Sequence, residues 1–396
     1  MKNNEIRQHK KYPIIFLMVI TSISGAMFLD TILPAIPYIS SFFNASNQRG
    51  QEIIFYYLFG MAISQLFLGS LMDSFGRKIV LLICLLVMFL CSLGAVMSNS
   101  IIVLLFLSAI IGLGAGGCSV TVRAVMRDCF NKEALAHGMS IINLFLTISP
   151  AVFPVLGSYL QHYFQWHAIC YFTAIYLLVT LVGIFWFLKE THQKQYAISI
   201  KKLFGNYGSV VVAPGFLKYC YTSAAALSGV YIYFAISTVL LQRELGISIT
   251  EYGWLALIFA LTSGISRLVT VRTSKIMSVK KQLHFGIFVM AMAGPIMYLM
   301  VYGLDIRLWG VFIPMLVFVF GSGFVFATSI ALAFEHLPHI AGTASSVYGF
   351  LRMIITCLLT LLAIHLDKDA ICTLATMLTL LSFSALALIY TNQNQR

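Results

Sequence analysis

The stretch FLDTILPAIP places a carboxylate, Asp30, inside an apolar run, and SVYGFLRMIITCLLT does the same for a guanidinium, Arg352. An ionised side chain at the centre of a bilayer costs about 2.5 to 3.5 kcal/mol on insertion scales, so such residues are kept for a partner or a task. The two differ in what they can do. Asp30 can shed its charge by taking up a proton, whereas an arginine stays charged. A carboxyl that alternates between these states can couple proton movement to a change of conformation or of ligand affinity. The competing reading is a structural pair or a residue at a helix break. Arg352 suits an anionic ligand, a carbonyl or Asp30 itself as its partner. Pro34 and Pro37 follow the acid and permit a bend that frees backbone carbonyls, or a kink without chemistry.

Other groups with chemical potential are dispersed. The 9 histidines are scattered, with His162 and His167 in one loop and His336 and His339 flanking Pro338 in another. There is no H-E-x-x-H, nucleophile elbow or phosphate loop, which argues against an enzyme. GLGAGG at 112–117 lies within an apolar run with no strand before it, so its small residues are read as close helix packing. The 8 cysteines form no C-x-x-C pair and are read as core packing, with no metal or redox cofactor. In SGVYIYFAIST, Tyr231, Phe234 and Thr238 recur at helical spacing on one face. They suit the wall of a site for a lipophilic or amphipathic compound, or plain packing. Tyr56 and Tyr57 are read as aromatic anchors at the membrane interface.

The elements that must carry these residues follow from composition. The chain has 396 residues, 60% hydrophobic and 10% charged, and a mean hydropathy of +0.92. This identifies an integral membrane protein, for which a helical span needs about 20 apolar residues. Twelve runs qualify, at 13–38, 52–72, 79–98, 101–124, 138–160, 168–188, 216–240, 251–272, 283–302, 309–334, 340–365 and 370–391. The first follows a basic stretch as a signal peptide would, but it is too long and lacks a small-residue cleavage site, so it is read as the first span. Of the 25 Lys and Arg residues, Arg49, Arg243, Arg307 and Lys368 fall on one side and Arg352 within a span; the rest lie on the other side. The positive-inside rule then puts both termini in the cytoplasm, and the net charge of +12 reflects topology and not nucleic-acid binding. The longest polar interruption, KETHQKQYAISIKKLFGNYG, divides the chain into a six-helix bundle at 1–188, a cytoplasmic linker at 189–215 and a second bundle at 216–396. Such a duplication places a ligand site near the midplane between the repeats. No selectivity-filter loop or ring of like charges suggests a channel.

GSLMDSFGRK, between the second and third runs, resembles the signature loop of the major facilitator superfamily at Gly69, Leu71, Asp73, Gly76, Arg77 and Lys78. RAVMRDCF follows at the end of the fourth run, with Arg123 and Arg127 on one face and Asp128 next. The resemblance implies that Arg77 pairs with Asp128 and that Asp73 faces the segment AGTASS, forming a latch on the inward gate. LDTILPAIPYI, SPAVFPVLGSYLQHYFQWHAI and LPHIAGTASSVYGFL, with RAVMRD, look like the bicyclomycin and chloramphenicol resistance (Bcr/CflA) type of twelve-helix drug:proton antiporter. Two departures stand out. The exporter motif of the fifth helix survives at Pro154 and Gly157, while Ser149, Phe153 and Ser158 replace its other glycines. The family's arginine and glutamine of the fourth helix align with Ser108 and Ile111, so proton coupling through that arginine is not implied.

The expectation is an all-α membrane protein with 12 transmembrane helices in two pseudo-symmetric six-helix bundles. It would be a monomeric, multi-pass protein of the bacterial inner membrane that exchanges a small organic compound for protons, with no cofactor besides the proton gradient. A proton-coupled carrier of an endogenous metabolite or siderophore, in either direction, fits the same motifs. A receptor or scaffold without transport fits them less well.

Overall fold

The computed structural model describes residues 11–191, 207–335, 337, 341–366 and 369–391. Among them, eleven helical stretches are long and apolar enough to cross a membrane. One, Lys132–Phe187, is broken at Gln165 (φ 66°, ψ 170°), which makes twelve spans. Span α1 runs from Lys11–Ile32 through a 3-10 turn (Leu33–Ala35) into a short helix (Ile36–Phe42). Then follow α2 (Asn47–Phe75), α3 (Arg77–Val96), α4 (Ile101–Cys129), α5 (132–164) and α6 (166–187). The second set is α7 (Phe216–Val239, with a wider π-type turn at Leu240–Glu244), α8 (Ile249–Thr273) and α9 (Val279–Tyr298, with a π-type turn at Leu299–Gly303). It continues with α10 (Leu308–Ala333), α11 (Ala341–His365) and α12 (Ala370–Thr391). His336, Pro338, His339 and Lys368, and most of the expected linker, lie outside the described residues.

All twelve spans fall where the apolar runs predict, but several helices run further. Span α2 begins at Asn47 and not near Glu52, α4 continues to Cys129 beyond Ala124, and α5 begins at Lys132 before Gly138. Apolar length measures the hydrocarbon thickness, whereas a helix continues into the polar zone until a side chain caps it. The Ser46 hydroxyl accepts from Arg49 N, and the Asn131 side chain accepts from Ala134 N. Ser248 and Glu251 form a reciprocal capping box at the start of α8. Within the spans, hydroxyls find partners on their own helix: Thr21 donates to the Leu17 carbonyl (2.7 Å) and Thr360 to the Thr356 carbonyl (2.8 Å).

In the first bundle α2 and α3 pack on α4, and α1 packs on α4 and on the α5–α6 pair; in the second, α9 packs on α10 and α12, and α7 on α10, α11 and α12. Small residues make the α2–α4 seam, as the GLGAGG stretch predicts: a β-carbon on Gly112 would lie 2.0 Å from the Tyr57 carbonyl oxygen. Two long seams join the bundles, α2 against α11 and α5 against α8. The α2–α3 loop lies on one end of the molecule, here termed the basic face, with Arg77, Lys78, Arg127 and Lys281 at helix ends there.

Candidate functional site

Asp30 sits on α1 two residues before the span gives way to the 3-10 turn. Its Oδ2 atom is enclosed and has no hydrogen-bond partner among the described residues. Next to it, Thr31 turns its hydroxyl back to the Met27 carbonyl (2.6 Å). Gly157 allows α5 to reach this point, since a β-carbon there would lie 2.0 Å from the Thr31 carbonyl oxygen. The surviving exporter glycine thus packs against the acid's own turn, one helical turn from the buried Pro154. Ser158 replaces a motif glycine, and across the seam α8 supplies Gly253, where a β-carbon would lie 2.5 Å from the Ser158 hydroxyl.

Tyr57 is a correction to the sequence expectation. It is not an interface anchor: it is 1% exposed, its hydroxyl donates to the Gly25 carbonyl, and its ring stacks on Phe28 at 6.1 Å. Tyr231 lies within electrostatic reach of both Asp30 and Arg352, so the acid, the phenol and the guanidinium belong to one neighbourhood. Phe234 meets Tyr231 edge-on (6.2 Å) and packs on Phe259 of α8 (5.0 Å). Thr238 is fully buried and bonds the Ala235 carbonyl (3.0 Å), away from that neighbourhood's polar groups.

Arg352 makes no ion pair with Asp30. Its guanidinium carbon lies 5.7 Å from the centre of the Tyr348 ring, a cation–π arrangement, and its Nε atom is enclosed without a partner among the described residues. It lines a cavity of about 380 Å³ together with Gln65, Arg123, Phe334 and Tyr348. Arg123 is accessible through this cavity yet surrounded by protein, and its Nη2 donates to the Gln65 amide oxygen (3.2 Å). Arg123 lies in the last turns of α4, as the sequence reading has it, and shares this cavity with the intramembrane arginine.

At the basic face Arg77 holds two carboxylates, Asp73 (2.6 Å) and Asp128 (3.2 Å). The Arg77–Asp128 pair is the one the family resemblance implies. Asp73 shares a second cavity, of about 270 Å³, with Gly69, Arg127 and the α11 start at Gly342 and Thr343, but its carboxylate is taken by Arg77. Gly76 makes the turn between α2 and α3 at φ 97° and ψ 154°, a region few residues other than glycine adopt. Glu190 was not foreseen. Its carboxylate accepts from the backbone N–H groups of Arg77 (2.9 Å) and Lys78 (3.1 Å), capping α3 from 112 residues away in sequence, while Lys78 Nζ reaches the Phe185 carbonyl (2.8 Å). An acid in a charged loop carries no sequence signal for such a contact.

The opposite end is tied together by polar contacts between the bundles. Gln242 and Arg243, on the π-type turn after α7, donate to the Pro34 and Pro37 carbonyls at 3.0 Å each. Glu52 of α2, 4% exposed at its side chain, pairs with His365 of α11 (3.2 Å) and with Arg49 (3.0 Å). A smaller cavity of about 200 Å³ remains at this end, between Gln51, Val239, Glu244 and Thr373, while the two larger ones lie toward the basic face. Among the described residues no group of His, Cys, Asp and Glu could hold a metal ion.

Comparison with known proteins agrees with this architecture. The chain is 25% identical to a bicyclomycin resistance protein homolog of Haemophilus influenzae, covering 92% of each. It is 27% identical to multidrug resistance protein D of Escherichia coli, covering 95% of this chain and 94% of that one. Among solved structures, a D-xylose-proton symporter superposes with a TM-score of 0.74 at 13% identity, over 94% of this chain and 97% of that one. The human organic anion transporter MFSD10 (TETRAN) does so with a TM-score of 0.65 at 17% identity, over 95% and 99%. These two establish the fold. The profile of the Major Facilitator Superfamily matches residues 15–360, and with twelve spans in two bundles around cavities between them, the chain belongs to that superfamily of membrane transporters.

Proposed function

We propose that this protein is a proton-coupled exporter of small, drug-like organic compounds in the bacterial inner membrane. The observation that carries the reading is the Asp30 carboxylate, enclosed in a span without an ionic partner among the described residues. Left ionised, such a group is costly; protonated, it is tolerated, so each state of the acid favours a different arrangement of the helices around it. Tyr231 lies within electrostatic reach of the acid. The bundles at 1–188 and 216–396 rock about the linker at 189–215, and cargo loads from the basic face, which is cytoplasmic along with both termini. The proton gradient supplies the energy, no cofactor takes part, and the monomer in its bilayer is the working unit. Drug export is supported by the names of the bicyclomycin and multidrug resistance relatives.

The test uses inverted membrane vesicles with an imposed proton gradient and a panel of small compounds. Active compounds should collapse the gradient in vesicles carrying the wild-type protein. Asp30→Asn, inserted at normal levels, should lose at least nine-tenths of that response. Undiminished exchange by Asp30→Asn would overturn the role of the acid, and accumulation that needs the opposite gradient would reverse the direction.

A further inference from the structure

We infer that the cargo carries an anionic group, a carboxylate, sulfonate or phosphate, gripped between Arg123 of α4 and Arg352 of α11. This deepens the transporter reading above and rests on it. The two guanidiniums come from opposite bundles, line the same cavity of about 380 Å³, and lie within electrostatic reach of each other. No Asp or Glu is among the described residues that line it. Among the described residues, the side-chain acceptor that Arg123 meets there is the neutral amide of Gln65, and the Nε of Arg352 has none. Two cations facing one cavity repel each other, and among the described residues they lack the charged acceptors that guanidiniums prefer. An anion between them answers both needs, because a planar fork binds carboxylate or phosphate oxygens in pairs.

The approach to the cavity has the same sign. Arg123 and Ser345 also line the smaller cavity at the basic face, so the two spaces meet at them. That outer space adds Arg77 and Arg127. The carboxylate among its described lining residues, Asp73, is already paired with Arg77. The route from the surface to Arg352 is thus a positively charged funnel, which concentrates anions and repels cations. The walls of the inner cavity are apolar at Met61 and Phe334, so the remainder of the cargo is a small lipophilic body.

The placement also connects loading to movement. Because the arginines belong to different bundles, rocking changes their separation, and an anion bridging them stabilises the arrangement in which they are near. Asp30 is not among the described residues that line the cavity, so proton and cargo occupy separate places. With the cell interior negative, the membrane potential itself favours outward movement of an anion.

The experiment measures equilibrium binding of three probes of one shape to the purified protein in detergent: naphthalene-2-sulfonate, neutral naphthalene-2-sulfonamide and cationic 2-(aminomethyl)naphthalene. The sulfonate should bind at least tenfold more tightly than either of the others. Arg123→Gln and Arg352→Gln should each weaken the sulfonate tenfold or more and change the sulfonamide less than twofold. Arg352→Lys, which keeps the charge, should recover part of the loss and shows that the variant protein is folded. A sulfonate that binds no better than the neutral probe, including the case in which none binds, overturns the inference. So do arginine variants that weaken all three probes equally. Binding is read without a proton gradient, so its outcome is independent of the Asp30→Asn vesicle test: loss of coupling in one and charge-blind binding in the other would leave the exporter standing and refute only the anion.

Discussion

Asp30 and Arg352 are legible in sequence because each breaks an apolar run, and a charge in hydrocarbon contrasts with everything around it. Tyr57 is not. In a helix that is apolar on all sides, the 3.6-residue period does not separate a lipid-facing ring from a buried one, and the structure puts Tyr57 beneath α1 with its hydroxyl on the Gly25 carbonyl. That bond defines a test. Tyr57→Phe keeps the stacking on Phe28 and removes one buried neutral hydrogen bond, so purified protein should lose about 1 kcal/mol of stability, read as a lowered thermal midpoint with transport retained. A loss of transport at unchanged stability would instead place the phenol in the proton pathway beside Asp30. Arg123 shows a related limit. Distance from the end of an apolar run does not reveal that the run's last turns line a cavity and not the bulk aqueous phase.

At the scale of elements, the spans were readable and the contacts that fasten their ends were not. Twelve apolar runs gave twelve helices, and the α5–α6 break at Gln165 lies between the expected runs. The α2–α3 turn shows the limit. Gly76 and Arg77 are recognisable from the signature pattern, yet the group that completes the turn is Glu190, just after α6. Its carboxylate meets two N–H groups at a helix N-terminus, where an anion is favoured by both hydrogen bonding and the helix dipole. Glu190→Ala should therefore cost about 1 to 2 kcal/mol and loosen Arg77, measured as reduced thermal stability together with faster proteolysis at the loop. Gly76→Ala should be worse. It meets an unfavourable φ and a β-carbon 2.5 Å from the Glu190 carboxylate, so combining it with Glu190→Ala should cost less than the sum of the two, because the smaller side chain removes the collision. Additive costs would show that the strain lies in the backbone alone.

At the scale of the whole molecule, the arrangement is a choice between two ends. The sequence supplies the bundles and the latch at the basic face, but it does not indicate which end is shut, since both conformers of a rocking transporter use the same residues. The structure answers through contacts made by unremarkable side chains: Gln242 and Arg243 on the Pro34 and Pro37 carbonyls, and His365 on Glu52. The broken backbone of α1 matters here, because prolines that first suggested a kink supply the acceptors for the seal. A hydrogen bond from a charged donor contributes about 1.5 to 3 kcal/mol, and about 1.4 kcal/mol is tenfold in an equilibrium. Arg243→Ala should therefore shift the population at least tenfold toward the state open at this end, if the bond is absent there. Spin labels at Asn44 and Gly246, near the ends of α1 and α7, report it directly. The wild-type protein should give a short, narrow distance distribution, and Arg243→Ala should add a longer component, increased further by Gln242→Ala. Glu52→Gln should act in the same direction by weakening the His365 pair across the α2–α11 seam. If none of these variants lengthens the distance, the seal resides in the apolar packing of α1 on α7 and α8, and the polar contacts merely decorate it.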